Sequence, residues 1–427
     1  MGKAAAMPPT YITLAFHTFT EKKTMTDKEE ITEWIRQFKW KISTIVLILI
    51  LAVGVSIYIG RYNPFGGKVD VVNELGGNIF PVTLLSTATT DASLITPADT
   101  GYIGNPKSCI AIKVKSTHPN SRLRIMVDAT PFFAQSVSEF VLPQSRTEYL
   151  VFPDIVWDYT ALRNNTQPVP LSISIKVEMN NHELGQVVHT VSMRSVNECL
   201  LGYLDSRMKF HDTGKFFAAY VNEDNPNIDQ LLREALNARI VNRFWGYQSN
   251  KPEIVDKQVY ALWYVLQKRG FKYSSISNSS LSSNVLSTQR VRTFDDALQS
   301  AQINCVDGSV LFASLMKAIN INPILVRVPG HMFVGYYTDR SHSNIHFLET
   351  TMIGDVNLDD FFPEEKLDST MVGKSQESVS RLTFEKSKEY ATRIYRENEK
   401  QIHEGKLNYM FLEIDKKTRA QIQPIGR

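Results

Sequence analysis

Asn304-Cys305-Val306-Asp307-Gly308-Ser309 is the stretch on which the reading of this chain turns, because it opens an apolar run with helical spacing, Val310 to Ile319. Asn322-Pro323 stops that helix, and the period then changes from helical to alternating. Ile324 to Val328 reads as a short strand, followed by Pro329-Gly330 as a turn. His331-Met332-Phe333-Val334-Gly335-Tyr336-Tyr337 reads as a second strand. A polar turn, Thr338 to Asn344, leads into a third strand, Ile345 to Thr351, which carries Glu349. The predicted order is helix, strand, strand, strand, with a thiol, an imidazole and a carboxylate placed at element ends.

Each placement suits one chemistry. A thiol in the first turn of a helix lies at the positive end of the helix dipole, which favours thiolate. An imidazolium beside it stabilises that thiolate and can protonate a leaving amine. Register decides whether His331 and Glu349 meet. A hairpin centred on Arg340 sets them directly opposite, and one centred on Ser341 makes them diagonal neighbours on the same face. A turn centred between two residues points them apart. Singly, each residue also fits a structural role; in this order they predict a Cys305–His331–Glu349 triad.

The motifs Thr293-Phe294-Asp295-Asp296-Ala297-Leu298, Asn304-Cys305-Val306-Asp307-Gly308-Ser309, Gly330-His331-Met332-Phe333-Val334 and Phe347-Leu348-Glu349-Thr350-Thr351 resemble a transglutaminase-like domain. The resemblance covers roughly residues 250 to 355 and implies a papain-like fold with Cys305 as nucleophile, His331 as base and Glu349 as the orienting carboxylate. The chain departs from the family pattern at three places. Glu349 stands where Asp is usual, Met332-Phe333 where Ala-Trp is common, and Asp307-Gly308 where other residues usually follow the nucleophile. The papain-like fold also implies a side-chain oxyanion donor upstream of Cys305. Gln289, Gln299 and Gln302 are all available, and Gln289 ranks first because it follows a polar loop. His342 and His346 with His331 and Cys305 offer zinc as the competing chemistry. His342 lies in the turn and His346 alternates off the face of Glu349, so neither a metal nor a cofactor is expected.

Ile42 to Ile59 runs without charge and approaches the roughly 20 residues that span a bilayer core. Trp40 and Tyr58 sit where interfacial aromatics belong. Lys28, Arg36, Lys39 and Lys41 before the run, against Arg61 and Lys68 after it, predict a cytoplasmic N-terminus. A cleaved signal peptide competes, but apolar residues continue past the small-residue site Gly54-Val55-Ser56, so an uncleaved anchor is expected. The net charge of +3 and the scattered Lys and Arg argue against nucleic acid as a partner. Hydrophobic residues at 43 % and charged residues at 21 % fit a folded chain.

Between Val69 and Cys199 short apolar or alternating runs recur, among them Phe80 to Leu85, Ile110 to Val114, Leu123 to Val127, Tyr149 to Phe152, Leu171 to Val177 and Val187 to Val191. Pro119-Asn120-Ser121 and Asn180-Asn181 punctuate them, and the set predicts a β-sandwich. Cys109 and Cys199 at strand ends can pair in an oxidising compartment or stay reduced, and the sequence leaves both open. Helical patterns follow at Phe216 to Val221, Ile228 to Leu236 and Val255 to Leu266. Ser274 to Ser287 is too polar to pack and reads as a loop.

The expected class is therefore α+β: a papain/transglutaminase-like catalytic domain preceded by a β-sandwich domain and an N-terminal transmembrane helix. The divisions expected are an N-terminal cytoplasmic segment (1–41), the span (42–60), the sandwich (65–200), the transglutaminase-like domain (205–362) and a C-terminal helical extension with a docking segment (363–427). The expected function is a membrane-anchored cysteine amidase, peptidase or amide-transferring enzyme acting on peptide or protein amides outside the cytoplasm. The three departures motivate the alternative, a catalytically inactive envelope protein of the same type that binds peptide or glycan.

Overall fold

A computed structural model describes residues 27–61, 69–73, 75–91, 102–205, 208–275, 285–354 and 357–426. The chain divides into two units, residues 1–66 and 67–427. In the first, Asp27–Arg61 is one uninterrupted helix. Its segment Phe38–Ile57 has 20 residues, mean hydropathy 2.3 and no buried share, so it is long and apolar enough to cross a membrane. A signal sequence meets the same test of length and composition.

The second unit is mixed α and β with several sheets. A five-stranded sheet runs in the order Asn78–Ile79, His182–Met193, Val169–Met179, Ser121–Val127, Ser136–Leu142. A four-stranded sheet runs Asp70–Val72, Ala111–Lys115, Glu148–Phe152, Tyr102–Gly104. Alternation makes these sheets one-sided: Leu171, Ile173, Ile175, Val177 and Met179 are buried from one strand, while Arg122 and Arg124 of the neighbouring strand face solvent. The two long central strands meet at Asn180-Asn181, both at positive φ (50° and 66°), as a type I′ hairpin turn requires.

One expected strand is a helix. Pro81–Ser86 is helical, with Pro81 at its first turn, where a missing N–H costs nothing. Pro81, Val82, Leu84, Leu85 and Ser86 are buried, and a short run that is apolar on all sides carries no period to separate strand from helix. Cys109 and Cys199 are free thiols. Cys199 lies inside the strand Glu198–Leu204, buried and paired with Gln289, and Cys109 follows a 3-10 turn at Pro106–Ser108. Burial pushes the Cys109 thiol up to about 12 and raises that of Cys199 further, so both are held protonated.

The remainder is built on a four-stranded antiparallel sheet, Ile345–Leu348, His331–Tyr337, Pro323–Val328, Met410–Glu413. The helix Cys305–Ala318 packs on this sheet. Trp263 of the helix Pro252–Lys268 is fully buried between Phe312 and Phe384, at 5.8 and 5.9 Å between ring centroids. Phe384 belongs to the long helix Gln376–His403, whose start is capped by the Ser375 side chain. The polar stretch expected as a loop to Ser287 ends sooner: Leu286–Arg290 is a strand with Leu286 and Thr288 buried, and 276–284 lie outside the described residues. Phe216 to Val221, expected as a helix, is 3-10 only as far as Tyr220, in the segment Gly214–Tyr220, and Val221 is extended.

Candidate functional site

Cys305 is the first residue of its helix, and the turn before it is tightly specified. The Asn304 side chain accepts the N–H groups of Val306 (2.9 Å) and Asp307 (2.8 Å), and the Asp307 carboxylate accepts the Asn304 N–H in return (3.1 Å), a capping box. Asp307 also accepts the Arg292 backbone N–H at 2.8 Å and the Arg292 guanidinium at 2.5 Å. At 1 % exposure it is a buried charge whose partners fix the helix start. The cap engages Val306 and Asp307 and leaves the Cys305 N–H uncapped at the positive end of the helix.

His331 begins its strand directly after Pro329-Gly330. Proline pre-sets the first turn position, and Gly330 at φ +75° supplies the left-handed second one of a type II turn. The opposite edge pairs Val334 with Leu348 and Tyr337 with Ile345, so the hairpin centres on Ser341. Of the two registers compatible with contact, this is the diagonal one. Glu349 lies one residue past its strand, and its Oε2 is 2.5 Å from His331 Nε2. Since an ionised carboxylate only accepts, Nε2 carries the proton and Nδ1 is the ring nitrogen left for the thiol. Burial pulls the imidazole pKa down. Interaction with Cys305 and Glu349, which accept from the ring and carry negative charge beside it, outweighs burial and raises it to about 10. Cys305, His331 and Glu349 thus converge, with Glu349 wholly buried and His331 partly open.

The approach of the helix to Glu349 depends on Gly308. A Cβ there would stand 2.4 Å from Thr350 Oγ1 and 2.7 Å from Thr350 Cβ, closer than packed atoms allow. Gly308→Ala is therefore expected to push the Cys305 helix off the Thr350 turn and cost about 1–3 kcal/mol, read by thermal unfolding.

Gln289 is placed differently from the other three. It lies in the strand opposite Cys199, and its side-chain amide donates to the Arg290 carbonyl at 2.9 Å. The histidines weighed as zinc ligands are engaged elsewhere: His346 Nδ1 with Asp256 at 2.8 Å, and His342 stacked on Tyr337 with Nε2 2.7 Å from the Asn322 amide. Among the described residues no group of three or more His, Cys, Asp or Glu is arranged to hold a metal ion.

Several residues at the site had no prominence in the sequence. Thr351 donates to Glu349 Oε1 from its N–H (3.1 Å) and its hydroxyl (2.8 Å). Ser387, from the C-terminal helix, bonds the Glu349 backbone. Tyr273, half exposed, sits on a two-residue strand paired with Gln302–Ile303; burial raises its phenol pKa, and the charges of Cys305 and Glu349 raise it further. A Thr two residues after a carboxylate is a capping signal readable in sequence. Nothing local announces Ser387. No protein-family profile matches the chain, and no curated protein matches it.

Proposed function

We propose that this chain is a membrane-anchored cysteine enzyme of the transglutaminase-like, papain-like type, acting on peptide or protein amides. The observation that carries the proposal is the imidazole of His331 held at 2.5 Å by a buried carboxylate, with the Cys305 thiol near enough to the same ring to raise its pKa. Cys305 Sγ attacks the amide carbonyl as thiolate, and the oxyanion forms against the Cys305 N–H. His331 gives its proton to the departing amine, leaving a thioester on Cys305. Water or a second amine, deprotonated by His331, attacks the thioester and restores the thiol. Glu349 keeps the ring oriented and the imidazolium charge neutralised throughout.

In the same reading, Phe38–Ile57 is the membrane anchor and the residues after it lie outside the cytoplasm. The two N-terminal sheets, which follow the anchor along the chain, form the β-sandwich domain of this reading.

The test uses the full chain in detergent micelles with a mixed peptide substrate and a fluorescent primary amine, read by mass spectrometry. Cleaved, deamidated or amine-coupled peptides, together with a thioester trapped on Cys305, are expected from the unsubstituted protein. Cys305→Ser is expected to abolish them while leaving thermal unfolding within about 1 kcal/mol. Products that survive Cys305→Ser would sink the reading. Absence of any product from the unsubstituted protein would favour the inactive peptide- or glycan-binding module.

A further inference from the structure

The sheet stops fixing the backbone one residue before the carboxylate that matters. The ladder between His331–Tyr337 and Ile345–Leu348 ends at Leu348, and Glu349 begins a 3-10 turn, Thr350–Met352. Its backbone is held from outside the sheet. Ser387 Oγ accepts the Glu349 N–H at 2.8 Å and donates to the Glu349 carbonyl at 3.0 Å, and Ser387 is fully buried. One hydroxyl thus makes the shortest bond to each main-chain group of Glu349, ahead of the Ser387 carbonyl on its N–H at 3.4 Å and the Met352 N–H on its carbonyl at 3.3 Å.

The carboxylate needs a second restraint. A glutamate has one more rotatable bond than an aspartate, and fixing it costs more conformational entropy. Oε1 is tied by the Thr351 N–H at 3.1 Å and the Thr351 hydroxyl at 2.8 Å, which leaves Oε2 facing His331. The longer side chain is therefore clamped at both ends, at its backbone by the C-terminal helix and at its tip by Thr351.

We propose that Thr351 and Ser387 are positioning residues for the Cys305–His331–Glu349 site, so that the helix Gln376–His403 belongs to the catalytic apparatus. The proposal rests on the cysteine-enzyme reading above. Neither residue touches the reacting atoms; each acts through Glu349, which sets the orientation and charge of His331.

The measurement is the rate at which iodoacetamide labels Cys305 as a function of pH, in the full chain in micelles, with peptide mass spectrometry to separate Cys305 from Cys109 and Cys199. Thr351→Val keeps the side chain's shape and removes its hydroxyl, and Thr351→Ser keeps the hydroxyl. Thr351→Val and Ser387→Ala are each expected to lower labelling at about pH 5.5 by about fivefold or more, with little change at about pH 9. Thr351→Ser is expected to restore the profile, which a merely structural contact would not dictate. Should Ser387→Ala fail to fold, the Thr351 pair carries the test. An activated profile in the unsubstituted protein that all variants share would overturn the positioning role alone. An ordinary thiol profile in the unsubstituted protein would overturn both this role and the enzyme reading.

Discussion

Replacing His331 with alanine is expected to slow iodoacetamide labelling of Cys305 by about tenfold or more at about pH 5.5 and to leave it nearly unchanged at about pH 9. At the lower pH an unaided thiol is only about 0.1 % thiolate, so its rate is limited by ionisation. A neighbouring imidazolium removes that limit, and His331 stays protonated up to about pH 10 because Cys305 and Glu349 outweigh its burial. The sign follows from a pKa raised above the ordinary value. The protonated ring stabilises the folded site fully below about pH 6.5 and loses that contribution as pH rises through about 10. At the upper end the two profiles meet, since a stabilised thiolate is intrinsically the weaker nucleophile. Equal rates at the lower pH would mean that His331 does nothing for the thiol, and the enzyme reading would fall with it.

How much of this site the sequence carried is best seen residue by residue. The helix start at Asn304 and the turn at Pro329-Gly330 were legible because caps and turns use a small set of residue types for local reasons. The meeting of His331 and Glu349 was legible as one of two registers, and the Ser341-centred hairpin selected the diagonal one. Ser387 was not legible, because its partner lies 38 residues away along the chain and nothing near it in sequence marks a buried hydroxyl. Pro81–Ser86 reads as a strand in sequence because burial of nearly every residue erases the periodicity that separates the two structures. The polar loop before Gln289 gives way to the strand Leu286–Arg290, whose register with Cys199 fixes where the amide can reach. Local chemistry was readable, whereas contacts made by docking one element on another were not.

Asp307→Ala is expected to be the most destabilising single change near the site, at about 3–5 kcal/mol, because it removes one partner of a buried ion pair. The carboxylate is 1 % exposed and does three things at once. It neutralises the Arg292 guanidinium at 2.5 Å, accepts the Arg292 backbone N–H at 2.8 Å, and closes the capping box on the Asn304 N–H at 3.1 Å. Alanine leaves a half-buried cation without its counter-charge and two main-chain donors without acceptors, and each buried orphan costs about 1–3 kcal/mol. Asp307→Asn separates these effects: the amide oxygen can still accept an N–H, but the charge is gone, so a loss nearer 2–3 kcal/mol is expected. Thermal and denaturant unfolding of the full chain in micelles measure both. The functional consequence follows from position. Asp307 lies two residues from Cys305, so a frayed first turn weakens the dipole and misplaces the N–H on which the proposed oxyanion site depends. In Asp307→Asn, low-pH labelling of Cys305 should therefore fall even at temperatures where the protein remains folded. If that variant loses stability but keeps the unsubstituted labelling profile, the Asp307–Arg292 pair serves the fold alone, and thiol activation rests on His331 and Glu349 without help from the helix start.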